Sequence, residues 1–188
     1  MKKSTWIVIA IIAILVIIAV VIGSSYNGLI SKSEEVDNKF AEIDVMLQRR
    51  TDLIPNLVNT VKGYASQEKD VINSVTEARA KLAGANTVGE KAEADGELTN
   101  ALNRLLIVVE NYPDLKSSQN FIQLSDELAG TENRIAVARK DYNDVVKVYN
   151  VKIKKFPTNL MASMFGFETK EYFEASENSK EVPSVNFE

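Results

Sequence analysis

The chain has 188 residues, 45% of them apolar, and a formal net charge of −4, which suits one domain of ordinary size plus an appendage. It contains neither histidine nor cysteine. Zinc, haem and iron–sulfur sites built on those ligands are therefore excluded, as are thiol nucleophiles and Ser-His-Asp triads. No cofactor is expected. Only carboxylate–oxygen metal sites survive, and no acidic loop resembles an EF-hand. Scarce glycine and proline, 8 and 4 in all, among many Ala, Leu, Glu and Lys favour helix over strand.

Residues 1–25 read MKKSTWIVIAIIAILVIIAVVIGSS: two lysines, then an unbroken apolar run from Trp6 to Ile22. About 20 helical residues span the ~30 Å of a bilayer's hydrocarbon core. A cleaved signal peptide would have an apolar region of about 7–15 residues and a small-residue cleavage site. This run is longer, and its end is a poor cleavage site. The segment is expected to be a retained transmembrane anchor, with Trp6 at the headgroup level. Lys2 and Lys3 lie tight against it, so the positive-inside rule places the N-terminus in the cytoplasm and the domain outside. Without those two lysines the chain keeps 20 basic and 26 acidic residues, a net charge of −6. That sign argues against nucleic acid and against a domain lying flat on an anionic membrane. Lys152, Lys154 and Lys155 form only a short local cluster.

Residues 26–174 are expected to form one helical-bundle domain. Steps of three and four from Tyr26 give Leu29, Ser33, Val36, Phe40, Ile43, Leu47, Arg50, Ile54, Leu57, Val61 and Tyr64, apolar except at Ser33 and Arg50. This seam continues out of the anchor, so one long helix is expected, with a break near Gly23 or Gly28 allowed. A second helix should run from about Gln67 to Leu82, capped by Ser66 and burying Val71, Ile72, Val75, Ala78 and Leu82. After the linker Gly84–Thr87, the capping-box spacing of Thr87 and Glu90 opens a third, ending before Tyr112-Pro113. The last long helix should start near Ser118. Its seam is Phe121, Leu124, Leu128, Thr131, Ile135, Ala138, Tyr142, Val145, Tyr149, Ile153 and Phe156, and Pro157 should end it. Two long and two shorter helices suggest an all-α, elongated antiparallel bundle. A short amphipathic piece follows, whose Phe165, Phe167, Tyr172 and Phe173 could cap one end. The polar tail 175–188 is expected to be disordered.

The stretch RRTDLIPNLVNTVKGY combines two faults, a proline in mid-helix and an arginine on the apolar seam. Pro55 should kink or locally open the helix at Thr51. Arg50 either snorkels to water or pairs with a carboxylate of the facing helix. The segment TENRIAVAR crowds the last helix's seam with polar groups in the same way. An interhelical polar layer is therefore expected, Arg49 or Arg50 and Asp52 pairing with Glu132 and Arg134.

These segments carry a resemblance. YNGLI, DVMLQRRTDLIPNLVNTVKGYA, VVENYPDLKSSQNFIQLSDELAGTENRIAVARKDYNDVV, FPTN and MFGFETKEYFE, followed by Pro183 and Phe187, resemble the LemA family of bacterial membrane proteins, from about Tyr26 to Phe187. The resemblance implies one N-terminal transmembrane helix and an antiparallel helical domain. It carries over no catalytic residue. Genes of the family often neighbour those of membrane metalloproteases, which implies an envelope role and an unknown, protease-linked partner.

Three functions are compatible with the sequence. The first is a membrane-tethered, non-enzymatic interaction module, with a homo-oligomer left open. The second is a hydrolase using carboxylates alone, Glu110 with Asp114 or Glu127 with Glu132. The third is a lipid or peptide binder using Phe165, Phe167, Tyr172 and Phe173.

Overall fold

The computed structural model describes residues 3–174, so the tail expected to be disordered lies outside the described residues. Those residues are all-α, with six helices and no strand: α1 Lys3–Tyr64, α2 Lys69–Gly84, α3 Val88–Val109, α4 Pro113–Lys116, α5 Gln119–Lys154 and α6 Thr158–Phe165. α1 is unbroken at Gly23 and Gly28 and stays helical through Pro55. One helix is long and apolar enough to cross a membrane, and every residue from Trp6 to Val21 is exposed.

The chain divides into two compact units, Met1–Lys39 with Asp144–Lys170, and Phe40–Asn143 with Glu171–Glu188. In the first, Leu29 and Val36 of α1 pack in a core with Val146, Tyr149 and Ile153 of α5 and Ala162 of α6. Phe156 does not join them: it is 81% exposed, because α5 ends at Lys154 and the turn at Pro157 carries it away from the seam. Val146 is buried where Val145 was expected, since a straight α-helix drifts by ~20° per heptad from a strict seven-residue repeat.

In the second unit, α1 runs antiparallel to α2 and α5 and parallel to α3, around Ile43, Leu47, Ile54, Leu57, Ile72, Val75, Leu98, Leu105 and Ile135. Burying each such side chain stabilises by about 1.5–3 kcal/mol. Short connections, 65–68 and 85–87, reverse the chain between neighbours. Ser66 does not cap α2. Glu68 holds that position without a side-chain bond, and its carboxylate instead accepts from Tyr112 Oη at 2.9 Å. The α3 start is as the spacing required. Glu90 N donates to Thr87 Oγ1 at 3.1 Å, while Glu90 Oε2 accepts from the amides of Asn86 and Thr87. These amides hold the Glu90 carboxylate below its ordinary pKa.

Helical structure stops at Gly166, whose φ of 75° is the left-handed conformation that lets glycine end a helix. Residues 167–174 are non-helical. In the first unit, Asn150 donates to the carbonyl of Lys170 and accepts from its N–H, both at 2.9 Å. In the second, Asn143 does the same for Phe173, at 3.1 and 2.9 Å, and Tyr142 Oη donates to Glu171 O at 2.8 Å. The carboxamide matches a backbone amide in having one donor face and one acceptor face. Each asparagine therefore pairs with a strap residue as a neighbouring strand would. Of the C-terminal aromatics, Phe165 and Phe167 meet Tyr26 in the first unit, and Phe173 is buried in the second.

Candidate functional site: a buried ionic layer

Four charged side chains from three helices meet in the second unit, Arg50 and Asp95 buried, the Glu132 and Arg139 side chains 37% and 25% exposed. Arg50 projects from the seam of α1 and is 3% exposed; Asp95 of α3 is fully buried. Arg50 Nη1 donates to Asp95 Oδ1 and, at 2.8 Å, pairs with Glu132 Oε2 of α5. Arg50 Nη2 donates to Thr99 Oγ1 at 3.0 Å, and that hydroxyl donates in turn to Asp95 O at 2.9 Å. The other carboxylate oxygen of Asp95 pairs with Arg139, seven residues beyond Glu132 and so on the same helix face. The Arg139 guanidinium lies 4.8 Å from the centre of the Phe173 ring, within cation–π range.

Two positive and two negative groups balance in formal charge, yet the layer is costly. Burial lowers the pKa of Arg50 against the opposing effect of Glu132. Burial and then the neighbouring Arg50 push Arg139 down to about 10. The Nε atoms of both arginines lack an acceptor among the described residues. Removing ions from water costs several kcal/mol each, and incomplete hydrogen bonding raises that cost. A cavity of about 220 Å³ opens beside the layer, lined by Arg50, Glu132 and the apolar Leu57, Leu102, Leu106 and Leu128 among others.

The structure thus brings Arg50 and Glu132 together, and leaves Arg49, Asp52 and Arg134 outside. Arg49 lies 3.9 Å from Glu127, both about half exposed. Asp52 is exposed and accepts from Gln48 Nε2 at 2.9 Å. Arg134 is exposed beside an open groove lined by Val45, Met46, Val137 and Ala138. The reason is helical phase: two residues are ~200° of rotation, so Asp52 and Arg134 face away from Arg50 and Glu132. Asp95 was not anticipated, because EADGE reads as a solvated face. Its signal was the spacing Asp95, Leu98, Leu102, Leu105, Val109, which continues the α3 seam one step upstream.

The proline of the same stretch has a partner as well. Pro55 cannot donate to the carbonyl of Thr51, one turn earlier, and Thr51 is buried. Arg79 Nε of α2 supplies the missing donor, at 2.8 Å from Thr51 O. α1 therefore remains helical where an unsatisfied buried carbonyl would cost about 1–3 kcal/mol.

Three of the four carboxylates weighed as acid–base pairs face cations instead. Glu110 pairs with Lys116 at 2.5 Å, Asp114 sits exposed in the first turn of α4, Glu127 faces Arg49 and Glu132 faces Arg50. Among the described residues no group of His, Cys, Asp or Glu could hold a metal ion.

Comparison with known proteins adds the relationship. A family model described as LemA family matches residues 39–187, which includes every residue of the ionic layer. The chain belongs to the LemA family. It is 31% identical over 193 residues to magnetosome protein MamQ 2 of Paramagnetospirillum magneticum, covering 89% of this chain and 71% of that protein. It is 30% identical over 174 residues to magnetosome protein MamQ of Magnetospirillum gryphiswaldense, covering 79% and 64% respectively. Protein LemA of Metamycoplasma hominis is 27% identical over 152 residues, covering 80% and 69%. The apolar α1 segment and these LemA-family relatives together fit a membrane-associated protein.

Proposed function

We propose that the protein is a membrane-anchored, non-enzymatic interaction module of the bacterial envelope, with its N-terminus in the cytoplasm and its second unit outside. One observation carries the reading: the carboxylate at the centre of the ionic layer is closed off from solvent. Asp95, with no exposure to solvent, is held by two guanidinium groups, so it can neither reach a substrate nor exchange a proton with one. The layer fixes which helices meet, a role for buried charge in register rather than chemistry. Lys2 and Lys3 ahead of Trp6 support the orientation, and the family's gene neighbourhoods support an envelope partner.

The absence of native cysteine makes the test direct. Single-cysteine variants at exposed Val45 and Val137, carrying a photo-crosslinker in intact cells, are expected to give discrete adducts that the same crosslinker at exposed Asp70 does not. A membrane-impermeant thiol reagent should label both sites in spheroplasts. Absence of any site-dependent adduct would refute the interaction reading; labelling only after lysis would reverse the orientation.

A further inference from the structure

The first unit carries an apolar surface that none of its described residues covers. α6 is only eight residues, Thr158–Phe165, and its one fully buried side chain is the small Ala162. Leu160 and Met164 lie two residues to either side of it, ~200° round the helix, and are 55% and 61% exposed. Phe156 and Phe165 add two more exposed rings. A surface helix of a soluble protein turns its large apolar residues inward; α6 turns Leu160 and Met164 outward.

Its location is set by contacts to α1. Tyr26 meets Phe165 and Phe167 at ring-centroid distances of 4.8 and 5.9 Å. Lys152 Nζ donates to Gly28 O at 2.9 Å. Tyr26 and Gly28 follow Ile22 by four and six residues, or about 6–9 Å of helix. The headgroup region on each side of a bilayer is of similar depth. Within the same unit, Lys154 and Lys155 are exposed next to Phe156, and an open cleft on α5 is lined by Lys147, Val148, Val151, Lys152 and Phe156 together with Asp144. Lysines in the last turn of α5 complement its dipole, but that accounts for none of the exposed apolar residues.

We propose that α6 is a second, interfacial membrane contact, which sets Leu160, Met164 and Phe156 into the leaflet beside the span while Lys154 and Lys155 bind anionic phospholipid headgroups. Apolar residues on one face flanked by lysine are the pattern of a helix lying in the interface plane. The net acidic charge of the whole chain is no obstacle, since attraction to the surface falls off within a Debye length and is set by the charges nearest it. The proposal rests on the membrane anchor but not on the interaction module.

The test uses the full chain in vesicles of phosphatidylcholine with and without phosphatidylglycerol. A polarity-sensitive fluorophore is placed on single cysteines at Leu160 or Met164, with controls at Val16 in the span and Val137 in the second unit. Expected are blue-shifted emission at 160 and 164, quenching there by nitroxides borne shallowly on lipid, and deep quenching at Val16. Phosphatidylglycerol should strengthen the signal at 160 and 164, and K154Q/K155Q should remove that gain; each lysine near an anionic surface is worth about fivefold in partitioning. Water-like emission at 160 and 164, matching Val137, would overturn the proposal. So would blue-shifted emission that lipid nitroxides cannot quench, because protein would then be covering the face. A Val16 probe without deep quenching would remove the anchor and this proposal with it.

Discussion

Replacing Asp95 with asparagine tests the ionic layer most directly. The carboxamide keeps the shape and one acceptor oxygen but removes the charge that Arg50 and Arg139 share. Arg50 retains Glu132 at 2.8 Å; Arg139 keeps only the Phe173 ring and is repelled by Arg50, which already lowers its pKa. Breaking a buried pair by removing one partner costs about 3–5 kcal/mol. At ~2–4 °C per kcal/mol for a chain of this size, the midpoint should fall by roughly 6–20 °C. Urea unfolding at 25 °C in detergent micelles, followed by far-UV circular dichroism, would measure the free energy. A loss below about 1 kcal/mol would refute the view that these cations are held in low dielectric. A second arm replaces all four residues, as R50M/D95L/E132Q/R139M. It should be neutral or more stable by up to about 4 kcal/mol, since three of the groups become apolar, the fourth is a neutral carboxamide at the partly exposed position, and no charge remains to be desolvated. If it is as unstable as D95N, the layer is worth more to stability than its incomplete hydrogen bonding allows.

Three further predictions concern local bonds. R79M should cost about 1–3 kcal/mol by orphaning the Thr51 carbonyl, and P55A/R79M should recover most of that by restoring an N–H at residue 55; additive effects in this cycle would exclude the proposed exchange of donors. N150A removes two bonds to Lys170, worth roughly 1–3 kcal/mol together. Its Lys170 amide should lose hydrogen-exchange protection while amides in the core of α3 keep theirs; unchanged protection at Lys170 would count against the strap. Glu90 has a folded-state pKa below its ordinary 4.5, so its stabilisation is present above that value and lost as pH falls through the lower, folded one. E90Q should therefore be less stable than the wild type at pH 7 and converge with it on acidification, and a difference independent of pH would show that the carboxylate charge is not involved.

Much of the architecture could be read from spacing, because spacing is what helices bury by. The seam from Tyr26 to Val61 and the Thr87–Glu90 box are local patterns, and each had its counterpart in the fold, whereas Tyr64 at the end of the seam is half exposed. Arg50 was conspicuous for the same reason, as a charge on an apolar line. What escaped was whatever depends on a partner distant in sequence. Asp95 sits between Glu93 and Glu97, both exposed, and only the packing of α3 distinguishes it from them. Arg79 looked like any surface arginine until the carbonyl it serves was seen. The strap was not legible because FGFETKEYFE has the composition of a helix, whereas Gly166 ends α6 and Asn143 and Asn150 offer the backbone beyond it another set of partners.

The bond between Arg79 and Thr51 also bears on the order in which the chain can fold. α1 precedes α2 in synthesis, and the missing donor at Pro55 leaves a gap in its hydrogen bonding that no residue of α1 fills. Until α2 has folded back, the turn around Thr51 is a helix with one carbonyl satisfied only by water. Docking of α2 removes that water and supplies the guanidinium in the same step. The C-terminal part of the longest helix is thus completed from outside, by the next helix along the chain.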